Sequence, residues 1–537
     1  MNKSERWVLI LLCMAQLILT LDSTVMNVSI STLVKDLDTT VSAVQSAIAF
    51  YTLVMAAFMI AGAKIGDVIG RKKALIIGLL VYGTGSLITS LAPNINVLKF
   101  GWSLLEGLGA ALVVPAMISL IASNFGAGPR RVKAYGTLAA MAAIGAAIGP
   151  IVGGLLTTYA SWRLVFAGEV LIVLFILINS KAIHDTEELD VKPKLDWLGV
   201  GLTAAGMYTI VQGILLASTY GFFRARAPFE VNGQVVLQPG QVSPTVIFVI
   251  AGVIILAMFV AWELWRTKKH RDVLVHLRLF GNHVVQSGLG SIITLYFLLG
   301  GAMYTLALFT QIELGYNALL SGLTILPLSI MIMLFASRGP VMAQKFAPRY
   351  IIRAGFVIIF AGVLLMGLTA TRATSGWALV PGIALAGAGV GIIMSQLQNL
   401  VQSAVSLHDS SETSGLMATF QNLGMSLGTA VGGVLLIASL INVSTQLIDQ
   451  NTVLNAQQKS QLSAAVEANA QIASNAQIEA ATTTLPANVS QQVVDINAQA
   501  RQTALSRVFI ALGIMSLLGL LASIRLPQNK PGPKALG

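Results

Sequence analysis

Charged residues are scarce in this chain of 537 residues. Asp, Glu, Lys and Arg together make up only 10% of the sequence, whereas 55% of the residues are hydrophobic. A soluble domain normally carries about 25% charged residues. Since a water-soluble protein of this length could not bury so much apolar surface, the shortage of charge excludes an ordinary soluble protein.

Cysteine is almost absent as well. Cys13 is the only one in the chain, which excludes an internal disulfide and a metal site built from cysteines. The five histidines show no HExxH spacing, and no GxxxxGK[ST] phosphate loop is present. No Ser/His/Asp or paired-carboxylate arrangement occurs in a polar segment. We therefore predict that the protein is not an enzyme and uses neither a cofactor nor a metal.

The apolar residues are grouped into about fourteen runs, each near the 20 residues that cross a membrane as a helix. Asp22 lies inside the first run, which continues past it, so a cleaved signal peptide is not expected. The pattern predicts an all-α, multi-pass integral membrane protein. The runs are 7–31, 44–65, 74–92, 97–124, 132–158, 162–181, 196–218, 243–265, 283–309, 319–341, 349–370, 377–405, 413–441 and 505–525.

The net charge of +11 is distributed unevenly along the chain. Short loops at 71–73, 130–133, 268–271 and 349–353 are rich in Lys and Arg, and all would lie on the side of the N-terminus. This is the positive-inside bias, so we predict that both termini are cytoplasmic. The basic surplus would contact anionic lipids. Nucleic-acid binding is not expected, because no basic stripe with interleaved aromatic residues occurs.

The order of runs and polar segments predicts three parts. Residues 1–181 form a first six-helix bundle, and residues 182–282 form a linker with two additional membrane helices and a basic amphipathic segment. Residues 283–537 form a second six-helix bundle. Transporters often consist of two such halves with the substrate site between them.

The segment 442–504 interrupts the second bundle. It is rich in Ala, Gln, Asn and Ser, and topology places it outside the cell. One interpretation is a floppy insertion. The alternative is a helical hairpin that caps the outer vestibule or binds a partner.

Three acidic residues lie inside predicted membrane helices: Asp22, Glu106 and Glu169. Charges in a membrane are costly and usually mark a transport pathway or a proton relay. The three lie at similar depth on the first, fourth and sixth helices, and a carboxyl group removed from water binds a proton more readily. We hypothesise that they bind protons or a cationic substrate. A carboxyl that stays protonated and bonds a backbone carbonyl is the alternative.

Two other patterns have both structural and functional interpretations. In the fifth helix, Gly145, Gly149, Gly153 and Gly154 surround Pro150. Small residues allow close helix packing, and Pro with Gly weakens a helix, so this helix is either tightly packed or able to bend. The other pattern is Asp67 beside the cations at 71–73, which acts either as a helix cap or as a charge latch that breaks during transport. Glu263 and Glu313, near helix ends, are predicted to be interfacial.

These segments resemble a known family. GDVIGRKK at 66–73 is similar to the loop signature of the major facilitator superfamily, and IGAAIGPIVGG at 144–154 to the fifth-helix signature of its proton-coupled exporters. LDSTVMNVSI at 21–30 resembles the first helix of the fourteen-helix drug:proton antiporters. The resemblance implies two six-helix bundles, a central cavity and alternating access. It also implies export of small amphiphilic, often cationic compounds in exchange for protons, by a monomer in the cell membrane.

The resemblance also assigns roles to residues. Asp22 would bind a proton or the substrate. Gly66, Asp67, Gly70 and Arg71 would form the cytoplasmic gating loop. The antiporter-motif helix would contain Gly145, Gly149, Pro150, Gly153 and Gly154.

The chain departs from the family pattern in its fourth and sixth helices. Ser103 stands where the family usually has an Arg linked to proton coupling, and Glu106 stands where it has Gln. Glu169 replaces a common Asn. Compared with the family pattern, the first bundle gains the acidic residues Glu106 and Glu169 and loses the Arg at position 103. This change favours positively charged substrates. A transporter of one dedicated solute (a lipid, peptide, siderophore or amino-acid derivative) is the alternative, and a receptor or scaffold without transport is a third possibility.

Overall fold

The structure, a computed structural model, describes residues 3–125, 129–185, 194–231, 234–405, 410–469, 472–483 and 487–527. Its first part is entirely helical, with a π-helical stretch at Lys99–Glu106. The helices are α1 Lys3–Val28, α2 Ile30–Asp36, α3 Val41–Ile69, α4 Arg71–Ser90, α5 Ile95–Leu98, α6 Gly107–Asn124, α7 Pro129–Tyr159 and α8 Arg163–Asn179.

The remaining helices follow in the same manner, with a second π-helical stretch at Phe309–Glu313 and short 3-10 turns elsewhere. They are α9 Trp197–Tyr220, α10 Pro244–Lys268, α11 His283–Leu308, α12 Ala318–Ser337, α13 Gly339–Lys345, α14 Pro348–Ala370, α15 Val380–Ser403, α16 Ser410–Gln450, α17 Ala456–Asn469, α18 Asn475–Ala481 and α19 Ala487–Ala522. Between α9 and α10 the sequence analysis missed a small hairpin of β1 Phe229–Val231 and β2 Gln234–Leu237.

Fourteen helical segments in the described part of the chain are long and apolar enough to cross a membrane, which confirms the predicted number. Capping explains several of their starts: Thr40, Asn282 and Asn317 each accept a backbone N–H of the first turn through the side chain. Helix α1 ends at Val28, before the predicted limit of its run, and Ser29 separates it from α2.

The spans form two six-helix bundles, with α9 and α10 as an additional pair. Because consecutive spans alternate in direction, the first of the fourteen spans begins and the last ends on the same side, which we call the terminus face; the opposite side is the far face. The two bundles contact each other through α3 with α16 and through α7 with α12. We call this interface between the two bundles the seam. The interior of the first bundle, described below, lies beside it.

Most of the described part of 442–504 is helical. Helices α16 and α19 extend beyond the membrane-spanning length at the far face, and α17 and α18 lie between them. Ile448, Leu454, Val489 and Ile496 form a small apolar core there. Arg501 Nε donates to Glu313 Oε2 at 2.6 Å, which fixes this segment to the end of the π-helical stretch that follows α11.

Candidate functional site

The three acidic residues predicted within the membrane lie together inside the first bundle. Asp22 lies on α1, Glu106 ends the π-helical stretch before α6, and Glu169 lies on α8. One carboxylate oxygen of each lies within 4.8 Å of the others. These residues are 0%, 0% and 2% exposed, respectively. The structure therefore brings all three candidates into one buried cluster, which we call the acid cluster.

Aromatic residues hold Asp22 in place. Trp102 Nε1 donates to Asp22 Oδ1 at 2.7 Å, and Tyr51 stacks on Trp102 with ring centroids 4.9 Å apart. Trp102 precedes Glu106 by four residues, so both side chains leave the same face of the π-helical stretch. Such stretches are rare and often occur at functional sites. The π-helical stretch thus places Trp102, the hydrogen-bond donor to Asp22, beside the carboxyl group of Glu106.

Helix α4 supplies the polar partners of the other two carboxyls. Tyr82 and Ser86 donate to Glu169 Oε2 at 3.1 and 3.2 Å. Thr89 Oγ1 lies 3.3 Å from Glu106 Oε1 but donates to the carbonyl of Gly85 at 2.8 Å. A hydroxyl has one proton. Thr89 therefore has two acceptors for its proton, Glu106 Oε1 and the carbonyl of Gly85, and the shorter distance favours Gly85.

Each carboxyl keeps one oxygen without a hydrogen bond: Asp22 Oδ2, Glu106 Oε2 and Glu169 Oε1. The described ranges place no Lys, Arg or His in an ion pair with any of the three. A buried carboxylate without a partner is costly, and a bound proton removes that cost. Chemically, the oxygen atoms could hold protons or a hard cation such as Ca²⁺.

Two glycines allow the helices around Glu106 to approach closely. A Cβ atom on Gly85 would lie 2.6 Å from the carbonyl oxygen of Gly101 and 2.7 Å from Glu106 Cγ. A Cβ atom on Gly101 would lie 2.6 Å from Thr89 Oγ1. The small residues of this contact therefore determine where the Glu106 carboxyl lies.

Ser103, at the position where the resemblance led us to expect an Arg, is fully buried. Its hydroxyl donates to the carbonyl of Ala47 at 2.8 Å, and so it links the π-helical stretch to α3. A long cationic side chain is thus replaced by a short contact between helices. The first bundle has acid at its centre without that cation.

The glycines of the predicted antiporter-motif helix, α7, contact two different helices. Cβ atoms on Gly145, Gly149 and Gly153 would meet α1 at 3.0 Å or less, the closest being 1.9 Å from Thr24 Oγ1 for Gly149. A Cβ atom on Gly154 would lie 2.6 Å from the carbonyl oxygen of Ala318, on α12 in the second bundle. At Pro150, the carbonyl oxygen would lie 2.2 Å from a Cβ atom on Gly322. The motif thus lies at the seam.

The predicted gating loop is a single residue. Asp67 lies within α3, so of its two interpretations the helix cap is wrong; Asp185 accepts the N–H of Lys72 at 3.0 Å instead. Only Gly70, at φ 99°, separates α3 from α4, a conformation that glycine adopts readily. Arg71 pairs with Asp67 and donates to the carbonyl of Ala63 at 2.8 Å.

Gly66 completes this corner. A Cβ atom on Gly66 would lie 2.8 Å from Arg71 Nη1. The guanidinium group of Arg71 can pack against α3 because Gly66 has no side chain. Gly66, Asp67 and Arg71 thus meet at one charge pair, in which Arg71 is buried and Asp67 is half-buried.

Other polar networks were missed by the sequence analysis. Glu263, predicted to be interfacial, is buried and accepts the N–H groups of Leu274 and Val275 at 3.0 and 3.3 Å. Asp196 caps α9 and pairs with Arg266 at 3.0 Å. The basic segment after α10 folds back over that helix, which periodicity within a single helix could not indicate.

Comparison with known proteins agrees with this architecture. The family model described as Major Facilitator Superfamily matches residues 12–229 and 237–429. The chain belongs to the major facilitator superfamily. Like other members, it is a multi-pass membrane transporter of the cell membrane and not an enzyme.

Relatives and solved structures from this superfamily match most of the chain. "Probable actinorhodin transporter" from Streptomyces coelicolor is 30% identical over 80% of this chain and 72% of its own length. "Puromycin resistance protein pur8" from Streptomyces alboniger is 27% identical over 79% of this chain and 80% of its own. A bacterial homologue of the human lysosomal transporter Spinster has the same fold, with a TM-score of 0.62 and 14% identity over 99% of this chain and 100% of its own.

Proposed function

We propose that this protein exports small amphiphilic compounds from the cell in exchange for protons, and that Asp22, Glu106 and Glu169 carry the protons. The observation behind this proposal is the burial of three carboxyl groups, one oxygen of each within 4.8 Å of the others, which form no ion pair with any residue in the described ranges. Charges placed inside a membrane usually belong to a pathway or a proton relay. The names of relatives that transport actinorhodin or resist puromycin support export.

In this proposal the terminus face is cytoplasmic, and residues 1–181 and 283–537 move as the two halves. Contacts near the far face support a state closed on that side. Gln311 Nε2 donates to the carbonyl of Asn27 at 2.8 Å, and Gln45 Nε2 to that of Thr429 at 2.8 Å. Both bonds join the first bundle to the second, so opening the far face requires that they break. At the terminus face, the pair of Asp67 and Arg71 lies within the first bundle, and in this proposal it is a charge latch that breaks during transport.

A preference for cationic compounds stays a prediction. It rests on the excess of acid in the first bundle and on the replacement of the expected Arg by Ser103. Since the acid cluster is buried, a cationic substrate would have to contact it after the bundle rearranges. Export of matched cationic and neutral dyes tests the preference, and equal rates for the two would contradict it.

A dedicated substrate is the second candidate function. The actinorhodin transporter is named for one compound, which is the observation that favours this candidate. A narrow substrate range in a broad export assay would distinguish it from a multidrug exporter.

The proton role is tested with purified protein in liposomes that contain a pH-sensitive dye. A pH gradient is imposed and a panel of lipophilic cations and neutral amphiphiles is added. We expect substrate-dependent proton movement in the wild type. We expect its loss in Asp22→Asn, Glu106→Gln or Glu169→Gln, because an amide side chain does not bind and release a proton at the pH values of the assay. Glu230→Gln is the matched control, since Glu230 lies in the exposed hairpin.

Two results would contradict the proposal. Proton movement that persists in all three amide variants removes the acid cluster from the coupling mechanism. Transport that continues without any proton movement in the wild type indicates another driving ion. Thermal unfolding of each variant shows whether a loss of transport reflects misfolding.

A further inference from the structure

A separate cavity lies in the first bundle at the terminus face, between the beginnings of α1 and α7. Its volume is about 690 Å³, which is within the range of small-molecule sites. All the residues that line it come from these two helices. Cys13, in its wall, precedes Asp22 by nine residues, or about 13 Å along α1. The cavity is therefore distinct from the acid cluster.

The wall of this cavity changes character with depth. Arg6, Arg130 and Lys133 lie at its mouth, in the first turns of the two helices. Met14 and Met141 lie eight residues farther along their helices than Arg6 and Lys133, about 12 Å deeper. Leu9 and Ile10 complete the apolar wall on α1. A ligand that fits this wall has a charged end at the surface and an apolar body below it.

The charge at the mouth is positive after its ion pairs are counted. Arg130 Nη1 lies 3.4 Å from Glu5 Oε1, which offsets one cation. Arg6 and Lys133 take part in no ion pair or side-chain hydrogen bond with the residues the structure describes, and both are exposed. Basic pockets between membrane helices bind anionic head groups. The mouth thus attracts an anion, and a cationic amphiphile would meet repulsion.

We propose that this cavity binds an anionic amphiphile, with its phosphate or carboxylate head at Arg6, Arg130 and Lys133 and its apolar tail along Leu9, Ile10, Met14 and Met141. The site does not depend on proton coupling at the acid cluster. Its ligand can come from two sources that share this chemistry: an anionic lipid of the adjacent leaflet, or a dissolved anionic amphiphile. The two sources are separated by experiment.

The only cysteine of the chain makes this site directly testable. Cys13 lines the cavity, so the rate at which N-ethylmaleimide labels the wild-type protein reports on occupancy without engineering. In detergent, labelling is measured with dodecyl phosphate, dodecylphosphocholine or dodecyltrimethylammonium at equal concentration. In a second arm, the protein is placed in nanodiscs of dioleoylphosphatidylcholine with or without dioleoylphosphatidylglycerol. We expect protection by the anionic members only.

Neutralising variants test the head-group contacts. Arg6→Gln and Lys133→Gln should each weaken the protection constant by about fivefold, the effect of one basic residue near an anionic surface. Lys345→Gln is the matched control, because Lys345 is an exposed cation on α13 in the second bundle. We expect it to leave protection unchanged. Proton-coupled transport, measured in parallel, keeps this test separate from that of the acid cluster.

The outcomes are decisive in both directions. Protection by dodecyl phosphate alone assigns the site to a dissolved amphiphile, and protection in the phosphatidylglycerol discs assigns it to a lipid; either supports the site. Equal protection by the cationic and anionic compounds, or none by any, overturns it. If Cys13 is too buried to react, Cys13→Ser with Met14→Cys moves the reporter to a half-buried position in the same wall, and the same criteria apply.

Discussion

The two six-helix bundles share a fold but differ in what they bury. The first encloses Asp22, Glu106 and Glu169, whereas the buried polar side chains described for the second include Ser, Thr, Gln and one Arg but no carboxyl group. The hydroxyls of the second bundle, such as Ser291 and Thr305, bond to carbonyls of their own helices. Neutral polar groups satisfied within a helix cost little, while buried acids cost much. The first bundle therefore carries groups that fold stability does not require.

The largest expected effect comes from adding an acid where the second bundle has none. Ser291→Asp places a carboxyl on α11 at a fully buried position without the partners that the first bundle provides. We expect destabilisation of about 3 kcal/mol, the scale reported for Asp at the centre of a membrane helix. Thermal unfolding in detergent measures it, with Ser291→Asn as the control of matched size. Equal stability of the two variants would show that the second bundle tolerates acid as well as the first.

A smaller effect is expected from two glycines with matched surroundings. A Cβ atom on Gly85 or on Gly389 would lie 2.6 Å from a carbonyl oxygen of a neighbouring helix, but only Gly85 is also close to a carboxyl side chain, 2.7 Å from Glu106 Cγ. Both Gly85→Ala and Gly389→Ala should cost about 1–3 kcal/mol of stability through overpacking. Only Gly85→Ala should also reduce proton-coupled transport.

The control for this pair is Gly168→Ala on α8, where a Cβ atom would meet nothing within 4 Å. It should not destabilise the protein, because Ala favours a helix over Gly, and it should leave coupling unchanged. A loss of coupling in Gly389→Ala as large as that in Gly85→Ala would mean that general packing, and not the position of Glu106, controls the proton step.

Comparable or smaller effects are expected from the loss of two hydrogen-bond donors. Trp102→Phe removes the donor to Asp22 Oδ1 at 2.7 Å, and Tyr304→Phe removes the donor to Gln45 Oε1 at 3.2 Å. Unfolding should show a loss of about 1–3 kcal/mol for the first, which leaves a buried acid unsatisfied, and of about 1 kcal/mol for the second. A double-mutant cycle with Asp22→Ala, which removes the acceptor, checks the cause: additive losses would mean that Trp102 acts through packing alone.

Much of the architecture followed from composition and periodicity. The number of spans, the co-location of Asp22, Glu106 and Glu169 at similar depth, and the family were predicted from charge scarcity and motif order. Their neutral partners were not predicted, because Tyr, Ser and Thr occur throughout apolar helices and only tertiary packing selects Tyr82 or Ser86. Asp67 was placed in a loop because Gly and charge usually interrupt a helix, yet Gly70 alone turns the chain.

The environment of other acidic residues could not be predicted from the sequence of the helix that carries them. Glu263 is buried because a later segment folds back to donate two N–H groups. The roles of the gating residues and of the antiporter-motif helix, and the limits 1–181, 182–282 and 283–537, stay predictions. A partner role for 442–504 likewise stays a prediction; what the structure adds is its fixation by Arg501.

The length of α16 has a practical consequence for imaging. Its 41 residues extend about 60 Å at about 1.5 Å per residue, twice the hydrocarbon thickness of about 30 Å. Together with α19, it forms a helical projection on the far face of the second bundle. In electron cryomicroscopy, small transporters are hard to align because the micelle hides them and the halves look alike. The projection lies outside the micelle and distinguishes the second bundle from the first. It therefore serves as a marker for particle alignment in the role that a bound antibody fragment usually has.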